Sequence, residues 1–323
     1  MIRAFFRTKE WFWWAYGGGL LLIGSLYAQV YMSVLFNKWY GGFYDMLQKA
    51  PEHSLEEFWA GLTHFMYIAI PYVILASATA YFTRLYSFRW RKAMTFDYIP
   101  RWRKIQQEIE GSSQRIQEDA YRFAKIVESL GLQVARATMT LVAFLPILWG
   151  LSKGVAIPVF ADVSGLLVWI AVIVSVGGML ISWFVGIKLP TLEYNNQKVE
   201  AAFRKELVYG EDDKQNHASM PALTELFTGI TFNYHRLFLH YGYFDLWINL
   251  YDQFMVIVPY IAVGPSLFTG AVTLGVMIQA SNAFSKVHSS FALFIHNWTT
   301  ITELRSISKR LHEFEANLDT NRR

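Results

Sequence analysis

Between Lys188 and Asp213 the chain reads KLPTLEYNNQKVEAAFRKELVYGEDD, and its acids are spaced for joint action. Glu193, Glu200 and Glu211 are separated by seven and eleven residues; at about 100° per residue these steps bring all three within roughly 20° of one helical face. Carboxylates gathered in a confined, partly dehydrated space hold protons at higher pH than they do in water, which suits a machine that loads and releases protons. Pro190 fits the first turn of such a helix, and Gly210 with Glu211, Asp212 and Asp213 is expected to end or bend it. Tyr209 is placed either to hydrogen-bond a carboxylate or to cap the helix.

Two further acids, Glu118 and Glu128, lie ten residues apart on the helix that enters the third apolar span, read as nearly one face. Two acidic helices would then line one vestibule. The same acids also stand near Lys198, Arg204, Lys205, Arg122 and Lys125 on their own helices, where they would form solvated ion pairs with no role in transport. In the fifth span Asp252, with Asn249 and Asp245 one and two turns earlier, makes a polar face that should look inward. Lys286 is a candidate counter-charge to it, as a structural ion pair. His288 and His296 would suit a proton relay, but their spacing of eight is not a metal motif. No catalytic triad, zinc spacing or Gly-rich cofactor loop occurs, so no enzyme site is expected. Without cysteine there is no disulfide, thiolate metal site or cysteine nucleophile.

The elements that must position these groups are membrane helices. A chain of 323 residues that is 54% hydrophobic and 17% aromatic has too little polar surface for an ordinary soluble domain. The expected fold is all-α, a single transmembrane domain over residues 1–323 with six spans near 11–36, 62–86, 130–151, 164–187, 245–268 and 272–298. The first span is too long for a secretory signal and is read as retained. Residues 38–60 read as an exposed connection with a short amphipathic helix, and the connections at 152–163 and 269–270 are short. The segments 87–129, 188–244 and 299–323 are expected as cytoplasmic extensions. Of the 29 Lys and Arg residues, 24 fall on one side of this scheme and only Lys38, Lys49 and Lys153 on the other. That bias places both termini in the cytoplasm. The basic run from Arg84 to Lys104, interleaved with Trp90 and Trp102 as interface anchors, reads as a positive membrane belt and not as a nucleic-acid site.

Long blocks carry a family resemblance. GIKLPTLEYNNQKVEAAFRKELVYGEDD (186–213), KWYGGFYDMLQ (38–48), FRWRKAM (88–94), IEGSSQRIQEDAYRFAKIVESLG (109–131) with the following TMTLVAFLP, and NWTTITELRSISKRLHEFE (297–315) resemble the SbmA/BacA-type bacterial inner-membrane peptide transporters. The resemblance implies a transmembrane fold similar to that of ABC exporters and proton-coupled import of peptides, among them antimicrobial, proline-rich and microcin-like ones, and of other hydrophilic compounds. It implies roles for Glu118, Glu128, Glu193, Glu200, Glu206 and Glu211. Longer members carry a further segment, including a membrane helix, before the position that matches the first span. This chain is expected to be a short member that keeps the six-helix core.

No G-x-x-x-x-G-K-[S/T] phosphate loop occurs in the sequence, and the tail after the sixth span is short for a nucleotide-hydrolysing domain. ATP is therefore not expected to drive this polypeptide alone; protons are the expected coupling ion, with no bound cofactor or metal. Six helices with an exporter layout enclose half a cavity, so a twofold homodimer in membrane lipid is expected, with peptide between the subunits. Two other readings stay open: the membrane subunit of an ABC-type transporter with a separate ATPase, and a non-transporting membrane scaffold.

Overall fold

The computed structural model describes residues 1–105, 109, 111–155 and 163–320, and among them there are helices and turns but no strand. The helices are α1 (Ile2–Phe6), α2 (Gly18–Gln48), α3 (Leu55–Trp102), α4 (Ser112–Gln114), α5 (Ala120–Leu151), α6 (Leu166–Gly186), α7 (Leu189–Asp212), α8 (Met220–Phe268), α9 (Leu274–His296) and α10 (Trp298–Thr320). A π-helical turn, Arg115–Asp119, joins α4 to α5. Most of the expected connection at 152–163, part of the polar stretch after Lys104, and the last three residues lie outside the described residues.

Five helical stretches are long and apolar enough to cross a membrane: Lys9–Gln48, Leu55–Trp102, Ser112–Gly154, Leu166–Asp212 and Met220–Phe268. At 1.5 Å per residue α8, with 49 residues, is about 73 Å long, more than twice a hydrocarbon core of about 30 Å. Pro71, Pro146, Pro259 and Pro265 sit inside these helices without ending them. Leu20, Tyr67, Val142, Ile173 and Phe184 are each more than half exposed, the inside-out pattern of a surface that meets lipid. α9 is long enough to span, at 23 residues, but carries Gln279, Asn282, Lys286 and His288. Composition alone does not place it in the membrane.

The chain forms two compact units, residues 1–172 with 258–323, and residues 173–257. In the first, α2, α3, α5 and α9 pack together, with α10 against α5 and α1 against α3. The expected exposed connection over 38–60 shrinks to residues 49–54, which are exposed and hold one short helical turn, Ala50–Glu52. α2 continues to Gln48 and the next long helix starts at Leu55. Gly41 is buried because α9 comes so close that a Cβ on Gly275 would stand 2.1 Å from the Gly41 carbonyl oxygen. The end of α2 also caps α9: Asp45 Oδ1 accepts the Gly275 N–H and Gln48 Oε1 accepts the Leu274 N–H, both at 2.8 Å. A carboxylate there complements the positive end of the helix.

One end of this unit has a conventional aromatic core. Phe5, Met94, Tyr98, Ala120, Phe123, Ile307, Leu311 and Phe314 are buried together. Trp90 belongs to it: the indole is 5% exposed and stacks on Phe5 at 5.6 Å, so it is not the interface anchor expected from its basic neighbours. Those neighbours lie over rings. Arg89 sits 4.8 Å from the centre of Trp14 and Arg91 5.0 Å from Tyr121, which shields apolar faces with cations.

In the second unit α6 leads through Ile187 and Lys188 into α7, and α8 returns. Tyr251 Oη donates to the Val174 carbonyl at 3.1 Å and Trp247 Nε1 to Ser182 Oγ at 2.8 Å. The α8 rings come so near α6 that a Cβ on Gly178 would stand 2.0 Å from Tyr251. Small residues on one helix let aromatic ones on the other approach the backbone.

Candidate functional site

α7 is one unbroken helix from Leu189 to Asp212, started with Pro190 in its first turn, and it passes through Gly210 without ending there. The register that aligns Glu193, Glu200 and Glu211 therefore holds to the last acid. Glu193 and Glu200 are half-buried and Glu211 is exposed. Glu200 has a specific partner: Tyr234 Oη on α8 donates to its Oε1 at 3.1 Å.

Glu206 lies off that stripe and is engaged in architecture. Its Oε1 accepts the Ala218 N–H at 2.9 Å and stands 3.6 Å from His217 Nδ1. Ala218 has φ 54°, a left-handed conformation uncommon for a residue with a Cβ. The Glu206 carboxylate thus pins the turn between α7 and α8. Asp213 orders the same turn: its carboxylate accepts the N–H groups of Gln215 and Asn216 and the Asn216 side-chain amide. Those bonds, the Asn216 side chain's first, hold the Asp213 carboxyl below the usual carboxylate range. Among the described residues the Tyr209 hydroxyl neither bonds a carboxylate nor caps the helix. The ring lies 5.1 Å from His217 and 5.4 Å from Lys205 Nζ.

In the other unit Glu118 and Glu128 do not share a face. Glu118 falls in the π-helical turn, paired at 2.7 Å with Arg122, the solvated ion pair that periodicity allowed. Glu128 is 8% exposed, and its Oε1 has no hydrogen-bond partner among the described residues. Ten residues at about 100° per residue leave the two acids roughly 80° apart, so even regular α-helical spacing does not put them on one face. The neighbouring Asp119 is the one turned inward. It is 1% exposed and bonded to Arg115 Nη1 at 2.7 Å and to Arg310 Nε and Nη2 at 3.0 and 2.7 Å. The bidentate Arg310 contact ties α10 to the entrance of α5. Sequence reasoning passed over Asp119, and its one signal was an Asp beside a Glu in QEDAYRF.

Within the bundle the polar groups meet one another. Gln29, 2% exposed, donates through Nε2 to Thr79 Oγ1 at 2.9 Å and accepts Arg136 Nη2 at 2.8 Å. The span arginine is thus held by a neutral oxygen. Asp252 lies on α8 in the unit formed by residues 173–257, half-buried beside Tyr251, and Lys286 on α9 in the other. Among the described residues no group of three or more His, Cys, Asp or Glu side chains is placed to hold a metal ion.

Long helices that turn apolar side chains outward and bury Gln29 and Glu128 within define a polytopic helical membrane protein. The chain belongs to the SbmA/BacA-like family, whose profile matches residues 8–319. It is also similar to longer proteins. The inner membrane ABC transporter ATP-binding protein YddA of Escherichia coli is 25% identical over 316 residues, covering 91% of this chain and 56% of YddA. The chloroplastic ABC transporter D family member 2 of Arabidopsis thaliana is 27% identical over 308 residues, 90% of this chain and 41% of the relative. The chain spans about half the length of these curated relatives. Family and relatives together support a membrane transporter.

Proposed function

We propose that this protein is a proton-coupled secondary transporter that imports peptides and other hydrophilic compounds across the bacterial inner membrane. The observation that carries the reading is α7: a continuous helix with three carboxylates on one face, one of them held by Tyr234, in a chain of the SbmA/BacA-like family. Titratable groups on a rigid element are what a proton gradient can act on. Six spans, with α9 as the last, both termini cytoplasmic and an exporter-like layout complete the proposal. The working unit is a homodimer, whose paired acidic helices favour cationic or neutral peptides over anionic ones.

The test is uptake of a fluorescent proline-rich peptide into proteoliposomes, with and without an inward proton gradient, in wild type and Glu200→Gln. The gradient should accelerate wild-type uptake and leave the variant near its basal rate. Equal flux in all four conditions would refute proton coupling through Glu200.

One observation favours a second reading, the membrane subunit of an ABC-type transporter. YddA is named as an ABC transporter ATP-binding protein and the Arabidopsis relative as an ABC transporter family member, and this chain matches about half of each. Uptake that requires ATP and a co-purifying ATPase, indifferent to the proton gradient, would select it.

A further inference from the structure

Where α3 leaves the apolar layer its charge changes abruptly. From Gly61 to Thr83 it carries no Lys, Arg, Asp or Glu, and then Arg84, Arg89, Arg91 and Lys92 follow in quick succession. The N-terminal segment packed beside this part of α3 is basic too, with Arg3, Arg7 and Lys9 ahead of Trp11 and Trp14. Over residues 1–14 and 81–96 together the one acid is Glu10. Among the described residues none of these seven cations is paired with a carboxylate, whereas Arg101, Arg115, Arg122 and Arg310 each hold one at 2.7 or 2.9 Å. Two of the seven are positioned by rings instead: Arg89 lies 4.8 Å from the centre of Trp14, and Lys92 5.9 Å from Trp11 and 6.0 Å from Phe96. A ring holds a cation in place without neutralising it.

An apolar track leads to this charge. At about 100° per residue Ile74, Tyr81, Phe88 and Lys92 fall within roughly 40° of one face of α3. Ile74, Tyr81 and Phe88 are 64%, 70% and 55% exposed, and Lys92 is exposed as well. A stripe of exposed apolar and aromatic side chains that ends on uncompensated cations has the pattern of a phospholipid, tail then phosphate. We propose that Arg89 and Lys92 bind the phosphate of an anionic phospholipid whose acyl chain lies along Phe88, Tyr81 and Ile74. A soluble anion would have no use for the apolar track, and a zwitterionic headgroup would bring its own cation into the basic field. The proposal stands independently of the transport reading and predicts a lipid preference at one place on the surface.

The test offers the purified full chain in detergent an equimolar mixture of phosphatidylglycerol and phosphatidylcholine with the same acyl chains, and native mass spectrometry counts the lipids retained. A cation near an anionic surface contributes about fivefold, so wild type should retain phosphatidylglycerol at least tenfold over phosphatidylcholine. Arg89→Gln/Lys92→Gln should lower that ratio about tenfold, with phosphatidylcholine retained as in wild type, which shows that the variant is folded. Arg89→Lys/Lys92→Arg keeps both charges and should keep the preference, as should Lys309→Gln on α10. Equal retention of the two lipids by wild type, or a preference that survives Arg89→Gln/Lys92→Gln, overturns the proposal. Displacement of phosphatidylglycerol by an equal concentration of soluble glycerol phosphate would reduce this to a plain anion site and overturn it as well.

Discussion

Tyr234 Oη and Glu200 Oε1 stand 3.1 Å apart, a hydrogen bond that joins α8 to the acidic face of α7 across 34 residues of sequence. Glu200→Gln keeps an acceptor for the phenol, so it should unfold within about 1 kcal/mol of wild type while losing gradient-driven uptake. Tyr234→Phe should cost about 1 kcal/mol and keep part of the flux. Thermal unfolding in detergent together with proteoliposome uptake separates the two effects. A Glu200→Gln protein that is both stable and fully gradient-driven would remove this residue from the mechanism.

Glu128 is a buried carboxyl with one oxygen unpartnered, a costly arrangement to keep ionised. Glu128→Gln should therefore leave the melting temperature unchanged or raised, whereas a structural acid would be missed. A protonatable role predicts that the same variant loses gradient-driven uptake. Full retention of uptake assigns Glu128 to packing alone.

Asp119, 1% exposed, anchors α10 through Arg310 and also holds Arg115 of its own turn. Removing one partner of a buried ion pair strands the other charges, so Asp119→Ala should cost on the order of 3–5 kcal/mol. Asp119→Ala/Arg310→Ala should cost less than the sum of the two single variants. Additive losses in chemical unfolding would mean that the two residues do not act as a pair.

Gly210 and Ala218 meet where α7 gives way to the turn: a Cβ on Gly210 would stand 2.5 Å from the Ala218 Cβ. Gly210→Ala should lower the melting temperature. Ala218→Gly should raise stability by about 1 kcal/mol, because φ 54° is easy for glycine. The double variant should recover what Gly210→Ala loses. If it is as unstable as Gly210→Ala alone, the two positions are not in contact.

The Asp213 turn should respond to acid. Its carboxyl is held below the usual range by Asn216 and Gln215, so the order it confers is present above the unfolded pKa of about 3.9. That order is lost as the pH falls through the lower folded value. Hydrogen exchange at Gln215 and Asn216, corrected for intrinsic rates, should be flat from neutral pH to about pH 4.5 and faster below pH 4. Asp213→Ala should exchange fast throughout, and an Asp213→Ala protein as protected at neutral pH as wild type would contradict the assignment.

Sequence by itself determined the class of protein, the long helices and the family. Runs of apolar residues long enough to cross a bilayer, with few charges inside them, leave the backbone little choice but helix. Periodicity was sufficient for the stripe on α7, because that helix is regular from Pro190 to Asp212. It failed for Glu118 and Glu128, whose ten-residue spacing stands about 80° off one face, and it did not show that Asp119 turns inward while Glu118 stays half-buried beside Arg122. Burial of Trp90 and engagement of Glu206 by the Ala218 N–H were decided only by tertiary structure. Each depends on which distant residue arrives opposite, and a one-dimensional pattern carries the face of a helix but not what packs against it.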